Sequence, residues 1–165
     1  MREFLIKFSK NIDIPLETIY SPGSVYVVRV LAFFRKTGFL LSSKQKNTSK
    51  KKPRPIIIIK TTNEISEIVG LSSNMIYQRI RPYISLEDCN IKEKECFGLD
   101  LKRRKRNFIF GKKNKKNKIR FKYPINIHIL YELEQKGDLI YCGKCSDEVT
   151  NEIISKIEKD ILEVD

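Results

Sequence analysis

Apolar and polar positions along this chain fall into short blocks. Ser21-Pro22 is a helix-start signal, with Ser as cap and Pro at the first helical position, and Gly38 is a stop. This spacing predicts a helix over 22–37, although the β-branched run Val25 to Val30 also allows a strand. Ile56 to Ile59 is fully apolar and β-branched, which predicts a short buried strand. Thr61-Thr62-Asn63-Glu64 fits a capping box and predicts a helix over 62–69. Gly70 then allows a left-handed turn, Ser72 caps a second helix over 73–81, and Pro82 ends it. Asn107 to Phe110 and Ile119 to Tyr123 alternate and flank a Lys-rich stretch from Gly111 to Lys118, the pattern of a hairpin over 107–123. Pro124 opens a helix with Ile125, Ile129, Leu130 and Leu133 on one face, ending at Gly137. Leu139 to Tyr141 reads as a strand. Ser146 caps a last helix whose Val149, Ile153, Ile154, Ile157, Ile161 and Val164 form a stripe. Met1 to Tyr20 is weakly patterned. Ile84 to Leu101 is acidic and fits no element.

Charge changes this picture more than composition does. The chain has 165 residues and a 41% hydrophobic fraction, enough for a folded core, and a net charge of +13. That charge is localised. Lys44 to Arg54 holds six basic residues and Lys102 to Lys122 holds twelve, with no acid in either. Without them, fifteen basic residues face twenty acidic ones. Two concentrated cationic strips point to a polyphosphate partner, duplex DNA first.

The segment between the strips resembles the helix-turn-helix of winged-helix transcription factors. The residues carrying the resemblance are Ile65, Ser66, Val69, Gly70, Leu71, Ser72, Ile76 and Ile80. They would provide the packed apolar positions, the small residue at the helix crossing, the turn glycine and the second cap. The resemblance covers about residues 22 to 136, with Ile56 to Ile59 in the place of the short strand and the basic hairpin in the place of the wing. Two features depart from it: a long connection over 84–106 and the inserted loop at 44–54. The fold class it implies is α+β, a winged helix-turn-helix with a basic β-hairpin wing and a C-terminal helical extension. Residues 1–137 would form the DNA-binding domain and 138–165 the extension. On the second helix, Ser73, Asn74, Gln78 and Arg81 would face bases, since Asn and Gln pair with adenine and Arg with guanine. Tyr77 would contact phosphate, as would Lys50, Lys51, Lys52, Arg54, Arg103, Arg104, Lys105, Arg106, Lys112, Lys113, Lys115, Lys116, Lys118 and Arg120. The expectation is a sequence-specific transcriptional regulator. The rival is an accessory or docking subunit of a transcription or replication complex that holds nucleic acid without sequence preference; RNA binding is a third reading. The hairpin aromatics could stack on single-stranded bases, but their alternation fits a strand face packed on the core.

Cys142-x-x-Cys145 has the spacing of half a zinc site, and Cys89 and Cys96 could complete four thiolates around one structural zinc. Reduced thiols are the plainer reading of these four cysteines, and a structural disulfide is a third. No other cofactor is implied. His128, the sole histidine, reads as structural. No phosphate loop, dinucleotide turn, His-Glu helix motif or nucleophile elbow is present, so an enzyme is not expected, and no small-molecule substrate is indicated. The 3-4-3 spacing of Ile154, Ile157, Ile161 and Val164 fits a short coiled-coil seam and a homodimer, or equally packing on the core. No run of apolar residues is long enough to span a bilayer, and no signal peptide is visible, so a cytoplasmic location is expected.

Overall fold

The computed structural model describes residues 19–39, 41, 53–72 and 122–164, together with short strands between 83 and 110. Elements follow in the order β1 (Ser24–Arg29), α1 (Val30–Thr37), β2 (Pro53–Thr61), β3 (Ile65–Ser72), β4 (Tyr83–Ser85), β5 (Cys89–Ile91), β6 (Glu95–Cys96), β7 (Leu99–Asp100), β8 (Asn107–Phe110), β9 (Tyr123–Asn126), α2 (Ile127–Gln135), β10 (Leu139–Cys145) and α3 (Asp147–Val164). The class is α+β and the strand pairing is antiparallel. Strands run in the order β4-β8-β3-β2-β1-β10-β5, with β9 also paired to β3; β6 and β7 form a separate pair.

The first helix of the expected helix-turn-helix is a strand. Ile65 to Ser72 forms β3 and pairs with β2, placing Ile56 opposite Gly70, Ile57 opposite Val69 and Ile58 opposite Ile68. The Thr61–Glu64 signal belongs instead to the β2–β3 turn. The Thr62 amide donates to the Ile65 carbonyl at 2.8 Å, and the Thr62 hydroxyl accepts from the Ile65 amide at 3.3 Å. Thr61 reaches across to Ser66, their hydroxyls 2.7 Å apart. Gly70 is therefore a strand residue opposite Ile56 and not a turn, and Ser72 is the last residue of β3. The expected second helix, 73–81, lies outside the described residues.

Other boundaries shift for the same reason. The 22–37 segment is strand through Arg29 and helix only from Val30, because Val25 to Val28 pair on both sides, with β10 and β2. Gly38 closes α1 as expected, at φ 76° with its amide donating to the Phe34 carbonyl at 2.7 Å. Pro124 sits in β9, where it faces Glu67. The helix starts three residues later, capped by the Asn126 side chain on the His128 amide at 2.8 Å. The Ser146 hydroxyl caps the start of α3, accepting from the Val149 amide at 3.3 Å, with Asp147 and Glu148 in the first turn. The boundary drawn at 137/138 does not divide the fold, because β10 is an interior strand between β1 and β5.

One core lies between the sheet and the two shorter helices. Tyr26, Val28, Ile56, Ile58, Ile68 and Ile125 from the sheet meet Phe33 of α1 and Ile127, Leu130 and Leu133 of α2. Alternate strand positions point to the opposite face, yet Val25, Val27, Ile57 and Val69 there are also fully buried. The connection between the end strands accounts for part of this. Six strand spacings separate β4 from β5, roughly 29 Å if the sheet were flat. Three residues join Ser85 to Cys89, a reach of at most ~14 Å. The sheet must therefore curl until its two ends approach. Two bulges aid the curl: Ile59 has no partner position in the β2–β3 register, and Cys142 has none in the β1–β10 register. The long helix α3 packs against β2 and β4, with Thr150 and Ile153 buried.

Candidate nucleic-acid interface

The outer edge of β3 carries a discontinuity that organises the charged segments. Phe110 of β8 faces Leu71, and Tyr123 of β9 faces Ile68. Both short strands run antiparallel to β3 along the same edge. An uninterrupted ladder needs two residues between Phe110 and Tyr123, to face Gly70 and Val69. Twelve residues are present, 111–122, and seven of them are Lys or Arg. In place of the expected 107–123 hairpin, β8 and β9 are two pieces of one strand alongside β3, with the cationic segment inserted between them.

The other cationic segment starts at the same place. After α1, the Phe39 ring packs on Tyr123 with centroids 5.3 Å apart. Leu41 then comes so close to Gly70 that a Cβ there would sit 3.6 Å from its Cδ2 atom. Lys44 follows three residues later. The segment ends at Arg54 in β2, two positions before Ile56, the β-partner of Gly70. Strand geometry puts Arg54, Phe110 and Tyr123 within roughly 10 Å of Gly70, the residue that Leu41 approaches. The two segments, far apart in sequence, leave and rejoin the fold around one point.

Arg54 is the expected backbone-contact residue whose side chain is described. It is half-buried, and that burial lowers its pKa from the ordinary value. Its Nε is buried with no hydrogen-bond partner among the described residues. A partly desolvated guanidinium with an unused donor attracts an anion more strongly than a fully hydrated one does. Two other described cations are engaged in ion pairs. Arg29 pairs with Asp138 at 3.3 Å, and Lys122 pairs with Glu67 of β3 at 3.4 Å. The Lys122 pair fixes the last residue of the inserted segment to the sheet.

The other expected contacts lie outside the described residues: Ser73, Asn74, Tyr77, Gln78 and Arg81, and the cations at 50–52, 103–106 and 112–120. Sequence reasoning missed Phe39, Leu41, Gly70, Glu67 and Tyr123 as the residues that gather the two segments. Only the aromatic and apolar residues flanking each charged run hinted at anchoring.

The cysteines do not form a thiolate set. Cys145 is disulfide-bonded, so its sulfur is not a thiolate, and Cys142 is a buried thiol donating to the Ile140 carbonyl at 3.4 Å. Cys142-Gly143-Lys144-Cys145 runs as a strand and does not wrap around a centre. Among the described residues no group of three or more His, Cys, Asp or Glu is placed to hold a metal ion. No helix among them is long and apolar enough to cross a membrane. The chain matches no family model, curated protein or solved structure.

Proposed function

We propose that the protein binds nucleic acid, duplex DNA foremost, through backbone phosphates and without base readout. The observation carrying this reading is the common root of the two cationic segments at Gly70. Thirteen cations, six in 44–54 and seven in 111–122, flank that root and act as one charged surface. A polyphosphate duplex rewards such a surface through counterion release. Asn114 and Asn117 punctuate the lysines of the second run, and no apolar residue occurs between Gly111 and Lys118. That composition suits phosphates and sugars better than base stacking. The half-buried Arg54 adds a donor beside the root. Base selection by Asn74, Gln78 and Arg81 loses its main support, since the helix meant to brace the recognition helix is strand β3.

Fluorescence anisotropy on random-sequence duplexes across a salt series tests the proposal. Replacing Lys112, Lys113, Lys115 and Lys116 by Gln should weaken binding to all duplexes alike. The slope of log affinity against log salt should flatten by up to about four units. An unchanged slope rejects the interface. Enrichment of one sequence from a random duplex pool, abolished by Gln78→Ala or Arg81→Ala, would replace it with the sequence-specific regulator.

A further inference from the structure

We infer that Cys89 is the disulfide partner of Cys145, so that a cross-strand bond fastens the terminal strand β5 to β10. Cys145 is buried and disulfide-bonded, and Cys142 lies outside that bond. The chain has four cysteines, which leaves Cys89 and Cys96 as partners within it. The strand register separates the two. Cys145 and Cys89 are direct partners in the β10–β5 ladder. Direct antiparallel partners have Cα atoms ~4.5–5.5 Å apart, inside the ~4.4–6.8 Å range of disulfides. From Cys89 the strand runs away from Cys145, so that Ile91 already faces Gly143. Cys96 lies beyond that in β6, where its partner is Leu99.

The bond has structural work to do at this position. β5 is three residues long and ends the sheet, a length at which strand pairing alone is weak. The Cys145 amide donates to the Gly23 carbonyl at 2.8 Å, and α3 starts directly afterwards at Asp147. The cross-link therefore fixes the end of the curled sheet where β10 passes into α3. Closing it removes two protons and two electrons from the two thiols. A low-molecular-weight disulfide such as oxidised glutathione accepts them and leaves as two thiols. Such bonds persist in oxidising compartments and inside hyperthermophiles, the settings this bond requires.

Peptide mapping tests the pairing. The protein is folded in a glutathione redox buffer, alkylated while unfolded, digested with trypsin without reduction, and analysed by mass spectrometry. Lys144 separates Cys142 from Cys145, and Lys92 and Lys94 separate Cys89 from Cys96. The expected result is one linked peptide pair containing Cys89 and Cys145, with Cys96 and Cys142 alkylated. A Cys96–Cys145 pair, an intermolecular link, or alkylation of all four overturns the inference. Independently, Cys89→Ser should lower the thermal midpoint by on the order of ten degrees and make it insensitive to reductant, while Cys96→Ser should not. An unchanged midpoint in Cys89→Ser overturns the role as a fastening.

Discussion

Strand β3 has two unlike flanks. On the inner flank it pairs with β2 from Ile56–Gly70 to Thr61–Ser66, broken only by the bulge at Ile59. On the outer flank the pairing stops at Phe110 and resumes at Tyr123, with twelve residues where two would serve. The inner flank is lined by Ile56, Ile57 and Ile58, buried on both faces of the sheet. One backbone thus serves two purposes. Continuous pairing with covered faces carries the stability. The entropy of closing a loop rises only slowly with its length, so the opposite flank tolerates a long charged insertion.

The largest expected effect comes from breaking the inner flank. Ile58→Ala leaves a cavity in a fully buried cluster and should cost about 2–5 kcal/mol in urea unfolding. A loss below ~1 kcal/mol would mean that this flank is not where stability resides.

Removing the outer insertion should separate the two roles. With 111–122 replaced by Thr-Thr, circular dichroism and thermal melting should report a folded protein, while affinity for random duplex falls at least tenfold at low salt. Unfolding of this variant would make the insertion part of the core.

Arg54 provides a finer test. Arg54→Met should reduce the salt slope by about one unit if its guanidinium meets one phosphate. Its stability should not fall, because methionine removes a partly desolvated charge with an unused donor and fills similar space. Lower stability with unchanged binding would place Arg54 in the scaffold.

The smallest effect is expected at Lys36 and Glu132, 2.9 Å apart on exposed helix surfaces. The hydrogen bond with Lys36 lowers the pKa of Glu132. Any stabilisation is therefore complete above the ordinary glutamate range and fades as acid protonates Glu132 below it. Glu132→Gln should leave the midpoint at pH 7 unchanged, since exposed pairs contribute little. A clear drop would show that the α1–α2 contact depends on this charge.

Legibility differed between segments with similar composition. Ile56 to Ile59 read as a strand because four successive β-branched residues leave no polar face for a surface helix. The caps at Gly38 and Ser146 were legible because they depend on neighbouring atoms. The stretch 62–69 reads as a helix because Thr61 to Glu64 fits a capping box and Ile65, Ser66, Val69 and Gly70 match the helix-turn-helix pattern. In the strand, Ile68 and Val69 fall on opposite faces and both are buried, so the polar alternation that marks a strand is lost. Val25 to Val28 was ambiguous for the same reason. The common root of the two charged segments left no local trace, because Leu41, Gly70 and Tyr123 meet only through the sheet.

The sequence by itself determined where the charge lies, which segments are rich in β-branched residues, and where α1 and α3 are capped. Each of these is a property of adjacent residues and survives any arrangement of the rest. Tertiary structure alone decided that Ile65 to Ser72 is a strand, that 111–122 interrupts a strand alongside it, and that Cys145 stands opposite Cys89. Strand pairing joins residues distant in the chain, and the two-sided burial it creates removes the periodicity by which a strand is recognised.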